Sequence, residues 1–299
     1  MAVVLYRVNW AALWQLTSKL NFAILLLVLP LFMIPVWLRS MRWNYLLKIQ
    51  DIQVSGARAF QYYAAAMFWG VITPGRIGEM IKVFYLTKRG VSTGRASLSV
   101  ILDRCLDLAS LFLLALLGVS LVYHQPAWFL GTLAAGGLIS LGLYVMRRRL
   151  AFPPDWPRFL FFLPEHLRQA LSQFLEHFKA DAGKFSFTQI MMMTAVSGLI
   201  WLAYLIPFLL LAESLGLRAS PVFLFTGVLA AAAISMIPVS IAGLGTREAF
   251  LIFYFGQVGI PPEQSLLFSF MFIYMHLFAG LLGLVVQPGK KVSPISLGS

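Results

Sequence analysis

An apolar stretch broken by glycines and followed at once by a carboxylate occurs twice in this chain, and that duplication limits the folds open to it. The first copy reads TPGRIGEMIKVFY, from Thr73 to Tyr85. A shift of 169 residues lays it on AGLGTREAFLIFY, with Glu79 over Glu248 and Phe84-Tyr85 over Phe253-Tyr254. Without a gap, the same shift pairs Ala64 with Ala233, Met67 with Met236, Ile72 with Ile241, Gly90 with Gly259 and Leu98 with Leu267. The apolar run before the first break, Ala59 to Thr73, would make only ~22 Å of helix, against the ~20 residues that a membrane span needs. Each copy is therefore expected to be a pair of half-helices meeting at a glycine-rich break.

The surroundings of the breaks give the broad class. Hydrophobic residues make up 60% of the chain and charged residues 11%, where a soluble domain carries about 25% charged residues. With a mean hydropathy of +0.83, the chain reads as an all-α, polytopic membrane helix bundle. In such a chain the net charge of +12 marks cytoplasmic loops rather than a nucleic-acid surface. The single cysteine, Cys105, lies in an apolar helix as a packing residue and excludes an intramolecular disulfide. No cleavable signal peptide is apparent, and residues 1–20, with Trp10, Trp14, Arg7 and Lys19, suit a helix lying in the interface.

Charge asymmetry orders the crossings. Asn21 to Leu38 is the first span, with kinks expected at Pro30 and Pro35. Arg39, Arg42, Lys48 and Arg58 place its end in the cytoplasm and the N-terminus outside. Repeat 1, about 59–122, follows. Basic residues flank both sides of its broken segment, which favours a re-entrant pair over the alternative of one kinked span plus a surface helix. Ala96 to Val122 then spans outward, and Trp128 to Met146 returns. Arg147, Arg148 and Arg149 open a cytoplasmic amphipathic segment, about 147–187, whose His166 and His177 read as surface residues. Thr188 to Leu211 crosses again, and repeat 2, about 221–287, runs from Pro221 to a last span that ends before Lys290 and Lys291. The count of crossings makes the two repeats inverted, within one membrane domain over 1–299.

Ionisable residues inside apolar helices mark the candidate site. Asp103, Arg104 and Asp107 share an arc of about 100° on one helix. Each charge costs about 2.5–3.5 kcal/mol at mid-membrane, so they must face protein or water, paired. The spacing lets Arg104 pair with Asp107, and a locking role and a functional role both remain open. Arg76 and Arg247, beside half-helix ends, could take a phosphate through guanidinium hydrogen bonds and free backbone N–H groups. Glu79 and Glu248 could counter those arginines or pair with a cationic headgroup, and Lys82 completes the candidate substrate-binding set. Catalysis is not expected: no His/Cys/Asp cluster has metal spacing and no nucleophile elbow or GxxxxGK[ST] loop occurs. No cofactor is implied, and GLG at 243–245 lacks the βαβ unit of a dinucleotide site.

The motifs RSMRWNYLL (39–47), PGRIGEMIKVFYL, LDRCLDLASL (102–111) and IPVSIAGLGTREA together resemble the transmembrane region of lysylphosphatidylglycerol synthases and the stand-alone flippase-like proteins grouped with them. The resemblance implies that Gly78, Glu79, Asp103, Arg104, Pro238, Gly243, Gly245, Arg247 and Glu248 are motif positions. Members usually carry one more helix before the segment at Asn21, and the soluble aminoacyl-transferase domain of the full synthases is missing, so synthesis of lysylphosphatidylglycerol is not expected here. What the resemblance implies is a lipid transporter of the cell membrane, moving a phospholipid or lipid-linked group between leaflets. With no ATPase motif, it would work downhill or by ion coupling. Its expected partners are membrane lipids (an anionic phospholipid or a lipid-linked phosphate) and, beside them, a separate transferase, with no nucleic acid. The alternatives are the membrane component of a lipid- or glycolipid-modifying enzyme system, and a scaffold subunit.

Overall fold

Backbone N–H and C=O groups inside a bilayer must be bonded within the protein, which leaves helices as the simplest solution. The computed structural model describes residues 10–18, 20–125, 183–236 and 243–285, with isolated positions between 130 and 181, and all regular structure among them is helical. In chain order the elements are α1 Trp10–Ser18, α2 Phe22–Ile49, α3 Gly56–Ile72, a 3-10 turn Ile77–Met80 leading into α4 Ile81–Thr87, α5 Thr93–Tyr123, α6 Phe187–Ser214, α7 Pro221–Ile234, α8 Thr246–Gly256 and α9 Pro262–Val285. Four of them, α2, α5, α6 and α9, are long and apolar enough to cross a membrane. The expected span at 128–146, most of the segment 147–187 with His166 and His177, Pro238, and both termini lie outside the described residues.

Helix α2 extends well past the expected end at Leu38. Asn21 caps its start by accepting from Ala23 N, and the helix continues through Pro30 and Pro35 to Ile49. Its buried face, with Val36, Arg39, Trp43, Leu46 and Leu47 at helical spacing, turns inward. Arg39 and Arg42 therefore lie inside the bundle, 4% exposed each, and do not cap a span at the membrane surface. The apolar run ends at residue 38, but burial goes on because these arginines find carboxylates on another helix.

The two broken segments form antiparallel hairpins. Helix α3 stops before Pro74, and Gly75 and Arg76 reverse the chain with φ of 58° each. Gly78 then passes so close to α3 that a Cβ there would stand 2.1 Å from the Trp69 carbonyl oxygen. Farther from the turn, Tyr62 of α3 stacks on Tyr85 of α4 with ring centroids 4.9 Å apart, so the second half-helix runs back along the first. Repeat 2 does the same. Gly243, at φ 75°, lies against Ser235 near the turn, while Tyr254 of α8 stacks on Phe223 of α7 at 4.2 Å and donates its hydroxyl to the Phe223 carbonyl. At 1.5 Å per residue α3 and α7 are about 26 and 21 Å long, short of the ~30 Å hydrocarbon core.

The same order of parts occurs twice: a 28-residue helix (α2, α6), a hairpin (α3–α4, α7–α8) and a long helix (α5, α9). Packing repeats with it. The first arm of each hairpin lies on the long helix of the other half, α3 on α9 and α7 on α5, while α2 packs against α6. Small residues make these crossings possible. A Cβ at Gly283 of α9 would meet Ala65 N of α3 at 2.3 Å, and one at Gly118 of α5 would meet Thr226 Oγ1 of α7 at 2.4 Å.

Candidate functional site

Helix α5 carries its acidic face into the bundle, and α2 answers it. One guanidinium fork, that of Arg42, reaches both aspartates: Nη2 donates to Asp103 Oδ1 at 2.6 Å and Nη1 to Asp107 Oδ1 at 2.9 Å. Nη1 also donates to Ser197 Oγ of α6. Lys82 Nζ takes the other oxygen of Asp103 at 2.9 Å and stands 4.3 Å from the Tyr63 ring centre. Arg39 Nη1 lies 3.7 Å from Asp107 Oδ2, and its guanidinium rests 4.5 Å above the Trp201 ring and 5.3 Å above that of Tyr204. Planar cations over ring faces are favourable where water is excluded. Lys82, Asp103 and Asp107 are all 2% exposed or less, which makes this a sealed network rather than an open site.

At the hairpin turns stand two glutamate–arginine pairs. Glu79 packs onto α3 where Gly70 leaves room, since a Cβ at Gly70 would stand 2.6 Å from Glu79 Cγ. Arg76 Nε stands 3.0 Å from Glu79 Oε1, as an ion pair rather than an aligned hydrogen bond. Arg104 of α5 pairs with Glu79 Oε2. In repeat 2, Arg247 Nη2 donates to Glu248 Oε1 at 2.7 Å and Arg247 Nε to Ser269 Oγ at 2.8 Å. Ser269 donates on to Glu248 Oε1 at 2.7 Å, and Glu248 Oε2 accepts from the Gly245 N–H that opens α8.

Between the hairpins lies a small cavity lined by Arg76 from one hairpin and Arg247 from the other. Trp201 and Tyr204 of α6 and Phe272 and His276 of α9 complete its working wall. His276 Nδ1 is 2.6 Å from the Phe272 carbonyl oxygen, which can only accept, so Nδ1 carries the proton. In the neutral ring Nε2 then accepts from the Tyr204 hydroxyl at 2.9 Å.

The sequence-predicted residues thus separate into two groups. Arg76 and Arg247 line the cavity, with Glu79 and Glu248 as their immediate partners. Lys82, Asp103 and Asp107 lie in the sealed network instead. Arg104 pairs with Glu79, not with Asp107, whose partners are Arg42 and Arg39. The spacing that puts Arg104 and Asp107 on one arc says nothing of what faces that arc. Sequence reasoning missed Arg39, Arg42, Trp201, Tyr204 and His276. For His276 a signal existed: a lone imidazole in an apolar span is a costly residue to keep there.

Comparison with known proteins agrees with a membrane helix bundle. The family model described as "Lysylphosphatidylglycerol synthase TM region" matches residues 1–283. A "UPF0104 membrane protein" of Methanothermobacter thermautotrophicus is 25% identical over 246 residues, covering 76% of this chain and 73% of that protein. No solved structure matches the chain. With nearly its whole length matched, this membrane protein belongs to the family of the lysylphosphatidylglycerol synthase transmembrane region.

Proposed function

We propose that the chain is a lipid transporter of the cell membrane, and that the cavity between its hairpins receives the phosphate of a phospholipid or lipid-linked group on its way between leaflets. The observation that carries this reading is the cavity wall itself, where Arg76 and Arg247 come one from each repeat. Two guanidiniums on opposite halves can hold one phosphate bidentately from two sides. In this reading the half-helix hairpins are re-entrant, the repeats are inverted, and exchange of the two packing arrangements opens the cavity to one leaflet and then the other. The chain itself performs no chemistry on the lipid. With no nucleotide-binding loop in the sequence, the movement runs downhill or is coupled to an ion.

The test is reconstitution of purified protein into vesicles with a headgroup-labelled fluorescent phospholipid, followed by quenching from outside. Vesicles with protein should lose nearly all fluorescence, and protein-free vesicles about half. Arg76→Gln and Arg247→Gln should each slow the second phase at least tenfold. Protein vesicles behaving as empty ones, with any lipid tried, would refute transport. A second reading has the family description behind it: the chain is the membrane part of a lipid-modifying enzyme system. Stoichiometric co-purification with a transferase would favour that reading.

A further inference from the structure

The charge inventory of the cavity and of the sealed network behind its Trp201–Tyr204 wall names a class of headgroup; the inference rests on the cavity being the lipid site proposed above. On the repeat 1 side, five cations (Arg39, Arg42, Arg76, Lys82 and Arg104) stand among three carboxylates (Glu79, Asp103 and Asp107). Two positive charges are left over among the described residues. The Arg247–Glu248 pair on the other side is neutral and changes nothing. Arginine does not lose its proton in proteins, and an uncompensated charge in a low-dielectric interior is costly, so this excess calls for an anion. Arg39 points the same way: it is 4% exposed, and its Nε and Nη2 have no hydrogen-bond partner among the described residues.

Every carboxylate oxygen in this inventory already faces a cation or a donor. Asp103 gives one oxygen to Arg42 and the other to Lys82, and Asp107 gives one to Arg42 and the other to Arg39. Glu79 divides its pair between Arg76 and Arg104. Glu248 is used up by Arg247, Ser269 and the Gly245 N–H. A headgroup ammonium entering the cavity would find every one of these carboxylate oxygens already beside a cation or a donor, although Glu79 Oε1 keeps its hydrogen-bonding capacity. Nor is an aromatic box open to a choline: the Trp201 and Tyr204 rings already carry the guanidinium of Arg39, and the Phe272 ring that of Arg247 at 5.3 Å.

We infer that the cavity selects a lipid headgroup that bears about two negative charges and no amine: a phosphate monoester or a diphosphate linkage. A monoester carries about −1.5 to −2 at pH 7, which matches the surplus of two. A zwitterionic phosphodiester carries no net charge and does not match that surplus.

Trp201 in the cavity wall gives a direct readout, the quenching of tryptophan fluorescence on titration with short-chain lipids of equal acyl length. Dihexanoyl phosphatidic acid should bind at least tenfold more tightly than the ethanolamine and choline esters. Inorganic phosphate and diphosphate, run alongside, should bind more weakly than phosphatidic acid, which identifies the lipid rather than the free ion as the ligand. Arg76→Gln should remove most of the preference, and Arg76→Lys, which keeps the charge and spares the fold, should retain part of it. Equal or tighter binding of the ethanolamine or choline ester overturns the inference, and so does binding of inorganic phosphate alone or of no ligand. Vesicles in which the protein moves phosphatidylethanolamine as fast as phosphatidic acid would sink the headgroup class while leaving transport standing. Vesicles in which nothing moves would sink transport itself.

Discussion

Arg42→Met removes a side chain that ties α2 to both α5 and α6 by hydrogen bonds. Its guanidinium donates four hydrogen bonds, to the side chains of Asp103, Asp107 and Ser197 and to the Asp103 carbonyl. If only those bonds counted, at the ~0.6 kcal/mol average found inside membrane proteins, the loss would be about 2 kcal/mol. A stranded charge costs more. Asp103 would keep Lys82 at 2.9 Å, but Asp107 would keep only Arg39 at 3.7 Å. Leaving a buried carboxylate without its partner costs about 3–5 kcal/mol, and that penalty should decide the outcome. The double variant Arg42→Met/Asp107→Asn removes the stranded charge and should recover more than half of the loss. The single cysteine, Cys105, is partly buried, so a thiol-reactive dye reports unfolding in detergent, and titration with a denaturing detergent gives the free energy. A loss near 2 kcal/mol with no rescue would mean the network is solvated. Parent-like stability of Arg42→Met would refute the reasoning altogether.

Arg104→Gln and Glu79→Gln should be non-additive, with a coupling of about 0.5–3 kcal/mol in unfolding titrations; Arg104→Gln with Asp107→Asn should couple more weakly, because those residues pair with different partners. Gly283→Ala would set a Cβ 2.3 Å from the Ala65 nitrogen, so α9 must move off α3 at a cost of about 1–3 kcal/mol. Gly256→Ala, with nothing within 4 Å of its Cβ, should shift the midpoint far less. At the loop face, Lys184 Nζ is 2.7 Å from Asp51 Oδ2, and this hydrogen bond holds the Asp51 carboxyl below its usual range and the Lys184 ammonium above its own. A lowered carboxyl contributes stability that fades as pH falls through its folded value, and a raised ammonium contributes stability that fades as pH rises through its own. The effect of Asp51→Asn, which keeps a residue tolerant of the left-handed φ of 57°, should therefore be small and level from about pH 5 to 9 and disappear in about 1 M salt.

Local features were the most legible in the sequence. Apolar run lengths placed the spans, and the Pro-Gly and Gly-Leu-Gly breaks placed the hairpins within a few residues, because both follow from backbone chemistry near in sequence. The duplicated glutamates were also legible, and each stands beside an arginine at a hairpin turn. What escaped was the identity of partners across the bundle. Arg42 meets aspartates more than sixty residues away, and a helical arc shows only that Asp103 and Asp107 share a face. Arg39 and Arg42 follow an apolar run and so resemble a surface cap; only tertiary packing shows that α2 carries them inward. The surroundings of Lys82 escaped for the same reason: it is 0% exposed, enclosed by Asp103 and the rings of Trp43 and Tyr63.

The central claim is that a lipid phosphate sits between Arg76 and Arg247. Its most direct test is photo-crosslinking in membranes with a short-chain phosphatidic acid whose glycerol, beside the phosphate, carries a diazirine, followed by peptide mapping. The account predicts labelling on the cavity wall near Val71, Trp201, Tyr204 and Ile273, lost when excess unlabelled phosphatidic acid is added and reduced in Arg247→Gln. Labelling confined to lipid-facing residues such as Leu199, Ile206 and Phe253, unchanged by competitor, would contradict it.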